Sequence, residues 1–343
     1  MNRDKNVQTP CNKCISDRGG GASYPIDLVY LWVDGNDPEI TKKRNLWKEK
    51  YGKTINKQGI NKCRFIDNDE LKYSLRSVEK YAPWINNIYI VTDNQIPKWL
   101  NTKHPKIHIV DHTEIMPEDT LPTFNALALE TCIHKIKNLS EYFLYANDDM
   151  LFANPTKPEY FFATNNLPII RTREKFTNQI INSHIYFQSL KYSYELLYEK
   201  FGFLYSECPH HVIDSYKKST IIECINQFEE YFNDTAHHKF RQNDDISRAI
   251  ISAYAYMTNQ GVLKSVQKEK LSILQKLIKT IKNDFHLDSI CLSLHAKNIN
   301  KIIKKYKPNL VCINDDDSVT DNERIKMQKF LTDYFPQKSQ FEL

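Results

Sequence analysis

Glu141–Phe152 reads EYFLYANDDMLF, and the rest of the chain is arranged around it. Tyr142–Ala146 is apolar and aromatic over the length of a buried strand. The run stops at Asn147, Asp148 and Asp149, which puts three polar side chains at the strand's carboxyl end. In open α/β sheets ligands bind at that edge. Adjacent carboxylates suit a hard divalent cation, and magnesium in turn suits a diphosphate. Asn-Asp-Asp is also good turn chemistry, so the triplet alone leaves a plain turn as the alternative.

The chain has 343 residues, enough for one large or two ordinary domains with a sizeable core. A hydrophobic fraction of 41% against 26% charged residues describes a globular protein. Only 8 glycines occur, with neither a G-x-G-x-x-G nor a complete G-x-x-x-x-G-K-[ST] loop (Trp47 precedes Gly52-Lys53-Thr54 where the first glycine would stand), which removes the usual dinucleotide and P-loop readings. The net charge of +5 favours acidic substrates or an anionic membrane face without demanding nucleic acid. Eight cysteines are scattered, and Cys11 and Cys14 form one C-x-x-C that no second pair or nearby histidine completes. With no signal peptide and no apolar run near the roughly 18 residues of a membrane span, the expectation is a cytoplasmic protein with reduced thiols.

Residues 1–24 are polar, end in Gly19, Gly20 and Gly21 plus a short tail, and read as a flexible lead. Residues 25–343 are then expected to form a single domain. A first strand spans Ile26–Val33 and breaks at Asp34, Gly35, Asn36, Asp37 and Pro38. Residues 39–61 read as helix, then loop. Asp67 with Glu70 three residues on forms a capping-box pattern, followed by Leu71, Leu75, Val78 and Ala82 on one helical face up to Pro83. Arg76 lies off that face, where spacing alone favours the surface over a phosphate. Strands at Ile88–Thr92 and Ile107–Val110 end in Asp93-Asn94 and Asp111-His112. Phe124, Leu127, Ala128, Thr131 and Ile136 predict a second amphipathic helix, with Glu130 on its solvent side.

This β-α-β-β-α-β alternation argues an α/β fold with a mostly parallel sheet. Four strand ends, carrying Asp34, Asp93, Asp111 and Asp148/Asp149, are expected to converge on one edge. Beyond Pro158 the pattern loosens into a helical and aromatic elaboration around residues 160–235. It includes Pro209-His210-His211-Val212-Ile213-Asp214 and a helical stretch at Cys224–Tyr231. A helix over Ile246–Met257 follows His237-His238, with Arg241 just before its N-terminus and placed for an anion. Leu271, Leu274, Leu277 and Ile281 have helical spacing, Cys312–Asp316 repeats the Asn-Asp-Asp theme, and a last helix spans Asp321–Tyr334.

Taken together these segments resemble the Stealth family of sugar-1-phosphate transferases, in four blocks over most of residues 26–343. The first is Ile26–Pro38. The second runs from Arg64 to Phe152, through Tyr73–Ser77, Ala82–Ile85, Ile96–Trp99, Leu121–Phe124 and Asn147–Asp149. The third holds Pro209–Asp214 with Phe240-Arg241, and the fourth Cys312–Asp315 with Phe335–Glu342. The resemblance implies a Rossmann-like, glycosyltransferase-A-like core with a helical insertion. It implies transfer of a hexose-1-phosphate or N-acetylhexosamine-1-phosphate from a UDP-sugar to a hydroxyl of an oligo- or polysaccharide acceptor, with release of UMP and dependence on magnesium. Its catalytic residues fall on Glu130, Asp149, His211 and Arg241. Two histidines stand where the family has one, and alignment on Asp214 selects His211.

On that reading Glu130, Asp148 and Asp149 hold the metal, Arg241 holds a phosphate oxygen, and His211 accepts the acceptor's proton. Trp32, Asp34, Gly35, Arg76 and Asp93 are assigned to donor binding. A peripheral contact with the cytoplasmic face of the inner membrane, or with capsule-assembly machinery, is expected, and no nucleic acid. The alternatives are a conventional UDP-sugar glycosyltransferase releasing UDP, and a carbohydrate-binding module whose rings at 160–205 stack on sugars.

Overall fold

The computed structural model describes residues 24–52, 55–175, 184–266 and 287–343. The expected lead apart from Tyr24, the Cys11/Cys14 pair and the helical spacing at 271–281 lie outside these residues. In chain order the elements are β1 (Ile26–Leu31), α1 (Pro38–Tyr51), α2 (Glu70–Tyr81), β2 (Ile88–Thr92), β3 (Ile107–Asp111) and α3 (His112–Ile115). Then come α4 (Ala126–Glu130), β4 (Tyr142–Asn147), β5 (Met150–Phe152), β6 (Ile169–Lys175), α5 (Ile185–Phe201), β7 (Glu207–Pro209) and β8 (Asp214–Lys217). The remainder is α6 (Lys218–Gln227), α7 (Glu229–His237), α8 (Ala249–Met257), β9 (Val262–Ser265), β10 (Ser289–Ser293), α9 (Ile299–Tyr306), β11 (Leu310–Asn314) and α10 (Asp321–Tyr334).

The main sheet has the order β3-β2-β1-β4-β8. Its first four strands are parallel, and β8 runs antiparallel to β4. The chain leaves β1 toward β2 and β3, then returns to pair β4 on the other side of β1. That reversal makes the carboxyl ends of β1 and β4 a topological switch point, where a crevice opens between loops leaving in opposite directions. Strand β4 explains why the sheet is covered on both faces. Phe143 and Tyr145 enter one core and Leu144 and Ala146 the other, each wholly buried, at roughly 1.5–3 kcal/mol for each large side chain. Smaller sheets, β10-β11-β5 and β7-β6-β9, flank the main one. Among the described residues no helix is long and apolar enough to cross a membrane.

The structure moves several expected boundaries. β1 ends two residues early, at Leu31. Asp67 does not cap α2: its carboxylate takes the Asp69 amide, Asp69 in the left-handed region is the cap, and Glu70 turns back to Asn68. The expected helix over 124–136 is α4 plus a separate turn, because Thr131 Oγ1 bonds back to Ala128 O and the chain re-forms as a single 3-10 turn at Ile133–Lys135. The stretch 224–231 is split at Phe228, whose backbone leaves the helical region while its ring enters the core. α8 begins three residues late, since the Ile246 and Ser247 amides are already committed to Thr235 and Ser193 hydroxyls.

Arg76 is neither free at the surface nor at the sheet edge. Its guanidinium holds Glu342 in a two-pronged ion pair at 2.7 Å and donates to Phe335 O, tying the chain's last turn to α2. Both partners are mostly buried. Breaking a buried pair from one side strands the other charge, at about 3–5 kcal/mol. Arg76→Ala is therefore expected to lower stability by about 3 kcal/mol or more, read from urea unfolding.

Candidate active site

A cavity of about 510 Å³ opens at the switch point, within the range of small-molecule sites. Every parallel strand of the main sheet sends residues to it: Trp32 and Val33 after β1, Asp93 after β2, His112 after β3, and Asn147, Asp148 and Asp149 from β4 onward. The convergence of four strand ends is thus real, but not all through the expected acids. Asp34 caps its own turn by accepting from the Asn36 amide, and Asp111 caps α3. Gly35 is needed for packing rather than for a ligand, since a Cβ there would lie 2.0 Å from Phe65 O. Asp93 lines the cavity while paired to Lys43 at 2.7 Å.

One wall is acidic. Burial, then the charges of Glu70, Asp149 and Asp67, pushes Asp148 well above the usual carboxylate range. Burial likewise raises Asp149 to about 6, Asp67 to about 6 and Glu70 to about 7. Carboxylates that hold protons this tightly are short of positive charge, and Asp149 Oδ1 has no hydrogen-bond partner among the described residues. Asp148 and Asp149 therefore fit a hard divalent cation. Asp149, His211 and Cys312 also bring one donor atom each within 4.8 Å of one another, although of these only the carboxylate suits magnesium.

Glu130 is not among the residues that line the cavity with Asp148 and Asp149, and it does not face solvent. It is buried, and its Oε1 accepts from Tyr145 Oη and from Arg248 Nη1, both at 2.9 Å. The same arginine donates through Nε to Asp214 at 2.9 Å, and its guanidinium lies 5.0 Å from the Tyr145 ring centre. Glu130 thus belongs to a buried Tyr145–Glu130–Arg248–Asp214 network behind the cavity wall. Sequence reading overlooked Arg248, whose only local signal was a cation at the start of an apolar helix.

The other wall is basic. Arg241 and Arg64 line it with His184, the N-cap of α5. Burial lowers Arg241, and burial with the charge of Arg241 lowers Arg64 to about 10. Burial and both arginines hold His184 down at about 4, hence neutral. The backbone of Arg241 packs so closely on Gly59 that a Cβ there would lie 2.7 Å from Arg241 O. Arg241 is eight positions from Ala249, so the helix end beside it is that of α5 rather than α8. Arg64 opens the second sequence block, but nothing local separated it from surface arginines.

His211 and His210 part company. His211 is half-buried beside Asp149; burial first, then Arg248, His210, Arg173 and Arg241, pushes its imidazole to about 3, so it is neutral. His210 is buried toward Arg173, Asp288 and Arg171 instead. Residues 238–245, which carry Arg241, are organised by fully buried Asp245: Oδ1 pairs with His238 Nδ1 at 2.7 Å, and Oδ2 takes the Gln242 amide and Asn125 Nδ2.

Fold and site together define an α/β protein whose switch-point crevice holds buried carboxylates and arginines in one cavity. The chain belongs to the Stealth protein family. Stealth conserved region 1 matches residues 24–52, conserved region 2 residues 64–170 and conserved region 4 residues 300–343. An exopolysaccharide phosphotransferase of Streptomyces coelicolor is 32% identical over 99% of this chain and 56% of its own length. One from Lactiplantibacillus plantarum is 31% identical over 93% and 96%. A capsular polysaccharide phosphotransferase of Neisseria meningitidis serogroup A is 32% identical over 93% and 57%. The chain therefore spans little more than half the length of the Streptomyces and Neisseria relatives. Among solved structures, the galactosyltransferase LgtC aligns with a TM-score of 0.39 and 9% identity, over 92% of this chain and 96% of that one.

The His238–Asp245 bond raises the His238 pKa above its ordinary 6.5, the hydrogen bond outweighing burial. A raised folded value means the bond's stabilisation is complete below pH 6.5 and fades as pH climbs through the folded value. Denaturant melts of wild type should thus weaken as pH rises past neutrality. His238→Gln should flatten that part of the profile, and an unchanged slope would refute the linkage.

Proposed function

We propose that the protein transfers a hexose-1-phosphate or N-acetylhexosamine-1-phosphate from a UDP-sugar to a hydroxyl of a growing capsular or surface polysaccharide, releasing UMP. One observation carries the reading: Asp148 and Asp149 share a cavity with Arg64 and Arg241, which suits a metal-bound diphosphate held from both sides. The names of the relatives support the acceptor class. Work in the cytoplasm, with peripheral contact to the inner membrane or capsule-assembly machinery, belongs to the same proposal.

The acceptor hydroxyl attacks the sugar-bearing phosphorus, a new P–O bond forms, the bond to the bridging oxygen breaks, and UMP departs. The neutral His211 imidazole takes the hydroxyl proton. Arg241 and Arg64 hold phosphate oxygens as charge shifts to the leaving group, aided by the positive N-terminal end of α5. Magnesium, when bound by Asp149 and Asp148, supplies charge neutralisation of the diphosphate. Glu130 acts from behind, through Tyr145 and Arg248.

The test is incubation with a panel of UDP-sugars, magnesium and oligosaccharide acceptors. Acceptor-dependent UMP is the expected product, and UDP in its place would make the protein an ordinary glycosyltransferase. Chelation should abolish transfer and added magnesium restore it; full activity in excess chelator would remove the metal.

Variants assign the roles. His211→Ala should lower kcat by about a hundredfold or more with donor KM nearly unchanged, because proton transfer belongs to the transition state. Arg241→Ala should raise donor KM as well as lower kcat. His210→Ala should be mild, since that ring faces Arg171 and Asp288. A dead His210→Ala beside an active His211→Ala would reverse the assignment.

A further inference from the structure

Among the six free cysteines of the described residues, two meet beside Asp149, a residue of the cavity wall. β10 and β11 run parallel with Cys291 in register with Cys312. Neighbouring strands lie about 4.8 Å apart, inside the Cα separation a disulfide spans. The packing shows that both side chains leave the sheet on the same face. Cys312 is fully buried, and Cys291 partly so, against the core that holds Ala146 and Met150. Ile290, Leu292, Val311 and Ile313, their neighbours along the strands, pack into the core on the opposite face. Cys312 Sγ donates to Asp149 Oδ2 at 3.3 Å.

We propose that Cys291 and Cys312 form a thiol-modification site, a cross-strand pair that closes into a disulfide and switches off the catalytic carboxylate beside it. The partly exposed Cys291 sulfur attacks a low-molecular-weight disulfide such as oxidised glutathione, forming a mixed disulfide and releasing one thiol. The Cys312 sulfur then attacks the Cys291 sulfur, the protein S–S bond forms, and the second thiol leaves. Two electrons pass from the protein pair to the reagent, whose two halves take up the two protons. Bonded to Cys291, the Cys312 sulfur has no hydrogen left to donate to Asp149 Oδ2. Asp149 Oδ1 already lacks a partner among the described residues, so loss of the bond to Oδ2 leaves neither oxygen held from that side and the carboxylate without its fixed orientation.

The loss of activity rests on the proposed phosphotransferase reading, whereas formation of the bond does not. The full chain, reduced and then exposed to oxidised glutathione without denaturant, is alkylated and its peptides mapped by mass spectrometry. The expected result is a Cys291–Cys312 linked peptide and the loss of two alkylatable thiols. UMP release should fall about a hundredfold, the scale of loss when a reacting group is misplaced by an ångström, and dithiothreitol should restore it. Cys291→Ser should keep basal activity and resist the oxidant, with Cys63→Ser as a control that stays sensitive. Mixed disulfides without the linked peptide, or a Cys291→Ser protein as sensitive as wild type, would overturn the proposal. A linked peptide in a chain with no transferase activity in any redox state would refute the phosphotransferase reading and leave the modification site standing.

Discussion

The buried double ion pair from Arg248 to Glu130 and Asp214 is the interaction on which the site depends. It joins three stretches far apart in the chain: the end of α4, the start of β8 and the residue before α8. Charges taken out of water are tolerable only when paired with good geometry, and removing one member leaves the others uncompensated. Tyr145 completes the arrangement by donating to Glu130 from the centre of β4, so the strand that presents Asp148 and Asp149 is bonded to the same network. The guanidinium also reaches outward electrostatically, helping to hold His211 neutral.

The cavity in front of this network is divided by charge. Its acidic side carries carboxylates raised by burial and by one another, and its basic side carries arginines lowered by burial. Each side is poorly solvated and relieved by the opposite charge. The metal-bound diphosphate of the proposed reaction would bring both, the cation to the carboxylates and the phosphates to the arginines. Such preorganisation places the polar groups before reaction, so that little rearrangement accompanies the movement of charge. The carboxyl-end position of the acids follows from strand order, because only at a switch point do adjacent loops part and leave room.

Strand β4 was legible from its aromatic run and its polar stop because both cores bury it, so its period and its end are written in consecutive residues. α10 was legible to its last residue for the same local reason, a capping box at Thr320 and Glu323 and a proline beyond. Boundaries failed where distant groups took the backbone. Ile246 and Ser247 read as the first residues of a helix, yet the Thr235 and Ser193 hydroxyls hold their amides in a loop ahead of it. Asp67 and Glu70 read as a capping box, yet the fold sets both charges against Asp148, with Glu70 in the acidic wall of the cavity.

What the sequence by itself determined is the alternation of strand and helix, the acidic strand ends and the family to which they belong, since each is carried by neighbours in the chain. What only the tertiary structure decided is which polar side chain does what. Glu130 lies on a short helix whose outward face, in sequence terms, is polar; packing turns that face onto Arg248, more than a hundred residues away. Arg76 and Arg64 look alike along the chain, yet one meets Glu342 and the other the cavity. Cys291 and Cys312 share no motif and become neighbours only because β10 and β11 pair in register. A side chain's electrostatic environment is set by contacts between distant segments, and those contacts exist only once the chain has folded.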